Sequence, residues 1–291
     1  CRPDRGDHGI TIMTSANTVP IEAVRQYWNQ RPCNIRHSTQ PVGTREYFDE
    51  VEQRKYFVEP HIPVFAQFER WNGKNVLEIG CGIGTDTLNF ARHGARVTAV
   101  DVSENSLQLA RRRAQVYGLE DRARFFHGDA ERLSEIVPPD PYDLVYSFGM
   151  IHHTPHPERV LQEIRRVTGP GTHLKIMVYH RYAWKVLWIL LKYGKGRFWR
   201  LSDWVARYSE AQTGCPVTYT YSRRQCREML EQNGFQVTGI RVEHIFPYRI
   251  ADYVEHRYVK EWYFRWMPEA LFQGLEHRCG WHLCADAEVK G

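Results

Sequence analysis

Val76-Leu77-Glu78-Ile79-Gly80-Cys81-Gly82-Ile83-Gly84-Thr85-Asp86 decides the fold: an apolar strand enters a glycine-rich turn that opens a helix, and an acid, Asp101, closes the next apolar strand. A strand that ends in Gly-x-Gly-x-Gly lets the backbone approach a ligand closely and aims free amide groups at it. The acid at the end of the second strand is placed to accept hydrogen bonds from ribose hydroxyls. Asp101 follows Gly80 by about the interval that this fingerprint expects. The dinucleotide form of the turn needs Gly-x-Gly-x-x-Gly, whereas here Thr85 stands at the third glycine's place and Gly84 one position earlier. The departure favours a mononucleoside without a pyrophosphate over NAD.

Outward from this turn, residues 75–180 alternate short β-branched runs with helical periods, the pattern of an α/β fold with a parallel sheet and helical crossovers. Strands are predicted at 75–79, 96–101, 124–127, 142–148 and 173–179. The helices between them carry their own punctuation: one stops at Gly94, one runs from a Ser103 cap to Gly118, and one opens on Pro157 and ends before Gly169-Pro170-Gly171. Ser222 and Gln225 form a capping box for a later helix, followed by strands at 235–244 and 280–288. Upstream, 21–31 and 45–71 read as helical, with Thr44 as a cap and Pro60 and Pro63 as breaks. The expected organisation is a leader over 1–19, a helical cap over 20–72, a core over 73–180, an aromatic lid insertion over 181–216, and a C-terminal helix and strands over 217–291 that surround a second aromatic insertion, 245–279. Residues 1–12 read as disordered sequence upstream of a more natural start at Met13.

A chain of 291 residues accommodates one large α/β core with a smaller cap. The net charge of +5 is spread along the sequence, which argues against a dedicated nucleic-acid groove. Arg111-Arg112-Arg113 is expected on the solvated face of a helix. Seven cysteines, odd in number and without a CxxC pair, indicate neither a disulfide framework nor a zinc finger, and they suit a reducing, cytoplasmic setting. The N-terminus lacks the apolar region of a signal peptide. The longest apolar stretch, Trp184 to Leu191, falls far short of the roughly 20 residues of a membrane span and reads as a lid or homodimer helix.

Leu77-Glu78-Ile79-Gly80-Cys81-Gly82-Ile83-Gly84 resembles motif I of the class I S-adenosylmethionine-dependent methyltransferases, particularly their UbiE-like, type 11 branch. The resemblance continues in order through Val100-Asp101-Val102-Ser103, His127-Gly128-Asp129-Ala130, Tyr142 to Ser147 and Leu161 to Val167, covering about residues 75 to 180. It implies a Rossmann-like, seven-stranded, mostly parallel sheet of order 3-2-1-4-5-7-6, with S-adenosyl-L-methionine as cofactor and S-adenosyl-L-homocysteine as product. On these positions it implies that Gly80, Gly82 and Gly84 line the methionine part, Asp101 with Val102 the ribose, Asp129 and Ala130 the adenine, and Ser147 or Phe148 the sulfonium end. Asp86 adds a polar contact near the turn. Glu78, an acid on a central strand, either faces this site or is paired by a flanking helix.

The sulfonium already activates the methyl group, so the protein has chiefly to align a nucleophile and exclude water, and a base is needed only for a protonated acceptor. His152 and His153, after the fourth strand, are the first candidates, and Tyr179 with His180 and Tyr182 at the end of the fifth strand are the second. Tyr27, Tyr47, Tyr208 and Tyr221 are candidate acceptor lining. Neither His152/His153/His156 nor Cys279/His282/Cys284 has the spacing of a closed zinc site, and no metal is expected. The strand-four end, Ser147-Phe148-Gly149-Met150, lacks the Asn/Asp-Pro-Pro-aromatic loop of base-amino methyltransferases, so the expected acceptor is a small organic molecule and not a nucleic acid. Two alternatives remain: alkylation or cyclisation through another carbon of the cofactor, and a non-catalytic cofactor-binding partner subunit.

Overall fold

The structure, a computed structural model, describes residues 19–194, 197, 199, 201–208 and 214–291. The leader expected over 1–19 lies, but for its last residue, outside the described residues. Three helices, α1 (Ile21–Gln30), α2 (Arg45–Val58) and α3 (His61–Ala66), precede the sheet. The Thr44 hydroxyl caps α2 by accepting from the Tyr47 N–H at 3.2 Å, and Pro60 separates α2 from α3.

The core then runs β1 (Asn75–Ile79), α4 (Thr85–Arg92), β2 (Arg96–Asp101), α5 (Glu104–Tyr117), β3 (Ala123–His127), β4 (Leu144–Phe148), α6 (Pro157–Val167) and β5 (His173–His180). Beyond it lie α7 (Trp184–Lys192), α8 (Leu201–Tyr208), β6 (Thr220–Tyr221), α9 (Arg223–Gln232), β7 (Phe235–Glu243), α10 (Ile250–Val254), α11 (Trp262–Arg265), α12 (Glu269–Cys279) and β8 (His282–Val289). The strand order is β3-β2-β1-β4-β5-β8-β7, parallel except for the antiparallel β8, which pairs with β5 and β7. This is the expected Rossmann-like order with one correction: a two-residue strand, β6, adds a parallel pairing to the end of β5 and makes eight strands.

Alternation along the strands builds a core on each face of the sheet. Leu77 and Ile79, Val145, and Leu174, Ile176 and Val178 face α6 and α9. Val76, Leu144 and Tyr146, and Met177 and Tyr179 pack with α3, α4 and the apolar side of α7. On α7, Val186 and Ile189 are buried while Leu187 and Leu191 are exposed.

Two buried ionic clusters dock the N-terminal helices onto this scaffold. Arg113 of α5 is fully buried and donates to Glu52 of α2 at 2.7 Å, to the Thr85 hydroxyl at 2.6 Å and to the Phe48 carbonyl at 3.2 Å. This corrects the expectation of a solvated Arg111-Arg112-Arg113 face at Arg113 alone, which α2 covers, while Arg112 is exposed and Arg111 partly so. The second cluster centres on Asp86, whose carboxylate accepts from Lys55 Nζ at 2.6 Å, the Tyr56 hydroxyl at 2.9 Å and the Tyr146 hydroxyl at 3.1 Å.

Removing one partner of a buried ion pair leaves the other charge uncompensated, which costs about 3–5 kcal/mol. Asp86→Asn is therefore expected to lower the unfolding free energy by about 3 kcal/mol in urea denaturation at neutral pH. A loss below about 1 kcal/mol would show that the docking of α2 does not depend on this carboxylate.

Candidate active site

The chain reverses its winding between β1 and β4, and a crevice at the carboxyl ends of the strands is the usual consequence. A cavity of about 280 Å³ lies there. Its floor is the glycine turn. Gly80 has φ +80°, and a Cβ on it would fall 2.4 Å from Met150 Cβ, so the turn after β1 and the loop after β4 approach as closely as only glycine permits. Gly84, with φ +76°, does not reach the cavity; it lets α4 approach α5, where a Cβ would meet Ala110 Cβ at 3.0 Å. Its expected contact with the methionine part is corrected to a packing role.

Asp101 stands where the sequence placed it. One carboxylate oxygen accepts from the Gly82 N–H and the other from the Ser103 N–H, both at 2.8 Å. Burial pushes the pKa of Asp101 up, and the backbone donors only partly offset it. Each oxygen retains a lone pair, so further hydroxyl donors would satisfy this acid. Gly82 has open space where a Cβ would project, and Val102, Asp129 and Ala130 continue the wall. The Asp129 carboxylate accepts from the Glu131 N–H at 2.9 Å. An acid with lone pairs to spare, a side-chain-free floor and an apolar wall fit an adenosyl group, and Asp101, Gly82, Val102 and Ala130 are the residues that would hold it.

Three sequence-assigned cofactor residues face elsewhere. Glu78 is buried and accepts a hydrogen bond from the Thr87 hydroxyl of α4, so of its two open readings the flanking-helix partner is the one the structure shows. Its carboxyl is held well above the usual range, by burial first and by Asp86 second. The Ser147 hydroxyl donates to the Ile79 carbonyl at 3.0 Å inside the sheet, leaving Phe148 to border the cavity. Asp86 anchors α2 instead of touching the turn's open side.

The candidate bases divide. His152 is fully buried, with its ring 4.2 Å from that of His153 and 3.8 Å from that of Tyr179; it lies beside the Met177 backbone without a hydrogen bond of good geometry. Burial drives its pKa well below the ordinary value. It is a packing residue, which corrects its catalytic assignment. His153 and Tyr179 border the cavity. His153 Nδ1 is 2.9 Å from the Val217 carbonyl, which fixes the proton on Nδ1 and the lone pair on Nε2.

The expected acceptor lining is displaced throughout. Tyr27 packs edge-on to Trp28 with Arg31 over its ring, and Tyr47, in the first turn of α2, is buried with its hydroxyl on the Ile35 carbonyl at 2.9 Å. Tyr208 stacks on Tyr193 at 4.0 Å, and Tyr221 sits in β6 against the core of the α6 and α9 face. His180 and Tyr182 border a separate surface groove with Arg223 and Arg278. None of these six lines the cavity.

The cavity's remaining wall comes from residues that the sequence reading passed over. Ile21, Val24 and Trp28 of α1 close one side. They share a helix face by their spacing, a signal that foretells a buried stripe but not what it covers. Asn29 fastens α1 there: its side-chain oxygen accepts from the Asn105 N–H at 3.0 Å, and its backbone carbonyl accepts from the Asn105 side chain at 2.8 Å. Lys55, Glu59 and His282 form the other end, beside Phe148, Met177 and Tyr179. Lys55 remains charged: burial opposes its charge most strongly, but Asp86 outweighs it and holds the pKa above the ordinary value.

A family model described as a methyltransferase domain matches residues 76–171. Methyltransferase GfsG from Streptomyces halstedii is 38% identical over 105 residues, 36% of this chain and 37% of that protein. The ubiquinone biosynthesis O-methyltransferase of Aeromonas salmonicida is 36% identical over 109 residues, 38% of this chain and 44% of its own length. The matches thus span less than half of these relatives. Among solved structures, magnesium protoporphyrin IX methyltransferase from Synechocystis PCC 6803 with bound SAH superposes with a TM-score of 0.58 at 15% identity, covering 93% of this chain and all of that one. That likeness is one of fold. No helix among the described residues is long and apolar enough to cross a membrane.

Asp101→Asn retains the side chain's shape and removes its charge. Hydrogen bonds to a charged group contribute about 1.5–3 kcal/mol each, so calorimetric affinity for S-adenosylhomocysteine is expected to fall about 10- to 1,000-fold. Wild-type affinity in a folded variant would remove Asp101 from the cofactor site.

Proposed function

We propose that this chain, whose core over residues 76–171 belongs to the class I S-adenosylmethionine-dependent methyltransferases, methylates a small organic acceptor held at the Lys55, Glu59 and His282 end of its cavity. One observation carries the reading. The acid and glycine floor that suit the adenosyl group share a single cavity with a second, chemically distinct wall of Phe148, Tyr179, Lys55, Glu59 and His282. Donor and acceptor would meet between them.

The bound cofactor supplies a methyl carbon already activated by a positive sulfur, so alignment and exclusion of water are the protein's share. Asp101 and the glycine turn fix the nucleoside. Ile21, Val24 and Trp28 of α1 cover it from solvent. Phe148, Met177 and Tyr179 provide an apolar and aromatic surround where the sulfonium end is expected, and aromatic faces attract cations. For an acceptor that arrives protonated, His153 is the proposed proton acceptor, bordering the cavity with its Nδ1 tied to the Val217 carbonyl. Carboxylates, thiolates and stabilised carbanions need no such step.

Product analysis tests the reading. Incubation of the protein with S-adenosylmethionine and a panel of small phenols, carboxylic acids and thiols should yield S-adenosylhomocysteine and an acceptor about 14 mass units heavier, as the methyl group replaces a proton that is released. Methylthioadenosine as the nucleoside product would instead indicate chemistry at another carbon, and binding without turnover across the panel would favour a non-catalytic partner role. Either result overturns methyl transfer.

A further inference from the structure

We propose that Glu59, His244 and His282 form a divalent-metal site of the two-histidine, one-carboxylate type at the acceptor end of the cavity. Their ligand atoms all lie within 4.8 Å of one another, and Glu59 Oε1 is 3.6 Å from His282 Nε2. Nitrogen and oxygen ligands at about 2.0–2.2 Å from a tetrahedral metal stand about 3.3–3.6 Å apart. Small side-chain rotations would therefore complete the site.

Three features of the fold converge on this arrangement. His282 Nδ1 is 2.9 Å from His61 Nε2. When His282 donates its Nδ1 proton to His61, its Nε2 lone pair is left toward Glu59, the outer-shell pattern common to metal-binding histidines. Secondly, His244 has φ +70°, a left-handed conformation uncommon outside glycine. The backbone is held in it by the Trp281 N–H, which donates to the His244 carbonyl at 2.7 Å. Gly280 allows the close approach, since a Cβ there would fall 2.3 Å from the Glu243 carbonyl oxygen. Strain of this kind, fixed by its surroundings, directs a buried imidazole into the cluster. Thirdly, the His244 and His282 rings stack at 4.7 Å, and both residues are almost fully buried. Apolar rings would fill that volume without the cost of burying polar nitrogens.

The position gives the site its use. Glu59 and His282 border the cavity while His244 stands behind them, so an open coordination position would face the acceptor. Two imidazoles and a carboxylate suit zinc, iron(II), manganese or cobalt over calcium or magnesium. Of the neighbouring lysines, Lys55 is paired with Asp86 and Lys185 lies over the Trp281 ring at 4.7 Å. On the methyltransferase reading, the metal would anchor an oxygen, nitrogen or sulfur donor of the acceptor; the metal site itself does not depend on that reading. The absence of a metal expected from sequence rested on spacing along the chain, whereas the pairing of Glu243 with His282 across β7 and β8 brings His244 beside His282.

The test is a calorimetric titration of tag-free, chelator-stripped protein with zinc chloride, without cofactor or acceptor. One equivalent should bind, at least tenfold more weakly in Glu59→Gln and in His244→Gln. His61→Gln, which removes only the outer partner, should weaken binding about 10- to 100-fold. His244 does not border the cavity, so His244→Gln should keep wild-type affinity for S-adenosylhomocysteine, which also reports its folding. Should that variant fail to fold, His61→Gln with the same S-adenosylhomocysteine control carries the comparison. Absence of stoichiometric zinc binding by the wild type, or wild-type zinc affinity in the folded variants, would overturn the site. Failure of the methyltransferase reading would instead show as absent S-adenosylhomocysteine binding or product, with zinc binding intact.

Discussion

The carboxylate of Asp86 is the constraint on which the Lys55, Glu59 and His282 end of the cavity depends. It stands in the first turn of α4, directly after the glycine loop, and it binds Lys55 and Tyr56 of α2 together with Tyr146 of β4. A buried carboxylate is unfavourable without such donors. Satisfying it fixes the last turn of α2 against the sheet. That turn delivers Glu59, and Pro60 then redirects the chain so that His61 follows at the start of α3. The N-terminal helices are thus a wall of the site, held by the same helix that the cofactor turn opens.

The other half is built from the backbone. Asp101 receives one N–H from the glycine turn and one from the loop after β2, so a single side chain sets the spacing of the two segments that border the nucleoside. Its acid is under-satisfied by those two donors, which is the condition for a ligand hydroxyl to bind well. Arg113 and Asn29 complete the enclosure, one by drawing α2 onto α5 and the other by fastening α1 across the entrance.

How much of this was legible in the sequence follows from the range of each interaction. The glycine turn, the Ser103 and Ser222 caps and the alternating strands are local, and the residues that specify them are adjacent; the strands and Asp101 could therefore be read directly, whereas the strand order, a non-local property, followed only from the family resemblance. The two-residue strand β6 is too short to leave a periodic signal. Arg113 departs from expectation because a charged residue on a helix is ordinarily solvated, and its partners Glu52, Phe48 and Thr85 are distant in sequence. The tyrosines at 27, 47, 208 and 221 are apolar enough to be buried anywhere, and composition does not say on which face. His152 and His153 are adjacent on one short helical turn and both buried, yet only His153 borders the cavity, a distinction of side-chain direction that sequence does not carry. Glu59, His244 and His282 belong to three elements far apart in sequence, brought together by the antiparallel return of β8.

The central claim is that one cavity holds a nucleoside at Asp101 and presents its reactive end to Glu59, His282 and Tyr179. A crystal structure with S-adenosylhomocysteine tests it most directly. The account predicts ribose hydroxyls on the Asp101 carboxylate, adenine against Val102 and Ala130, and the sulfur beside Phe148 and Met177, facing the Glu59 and His282 end. A nucleoside bound in the reverse direction, or outside this cavity, would contradict it.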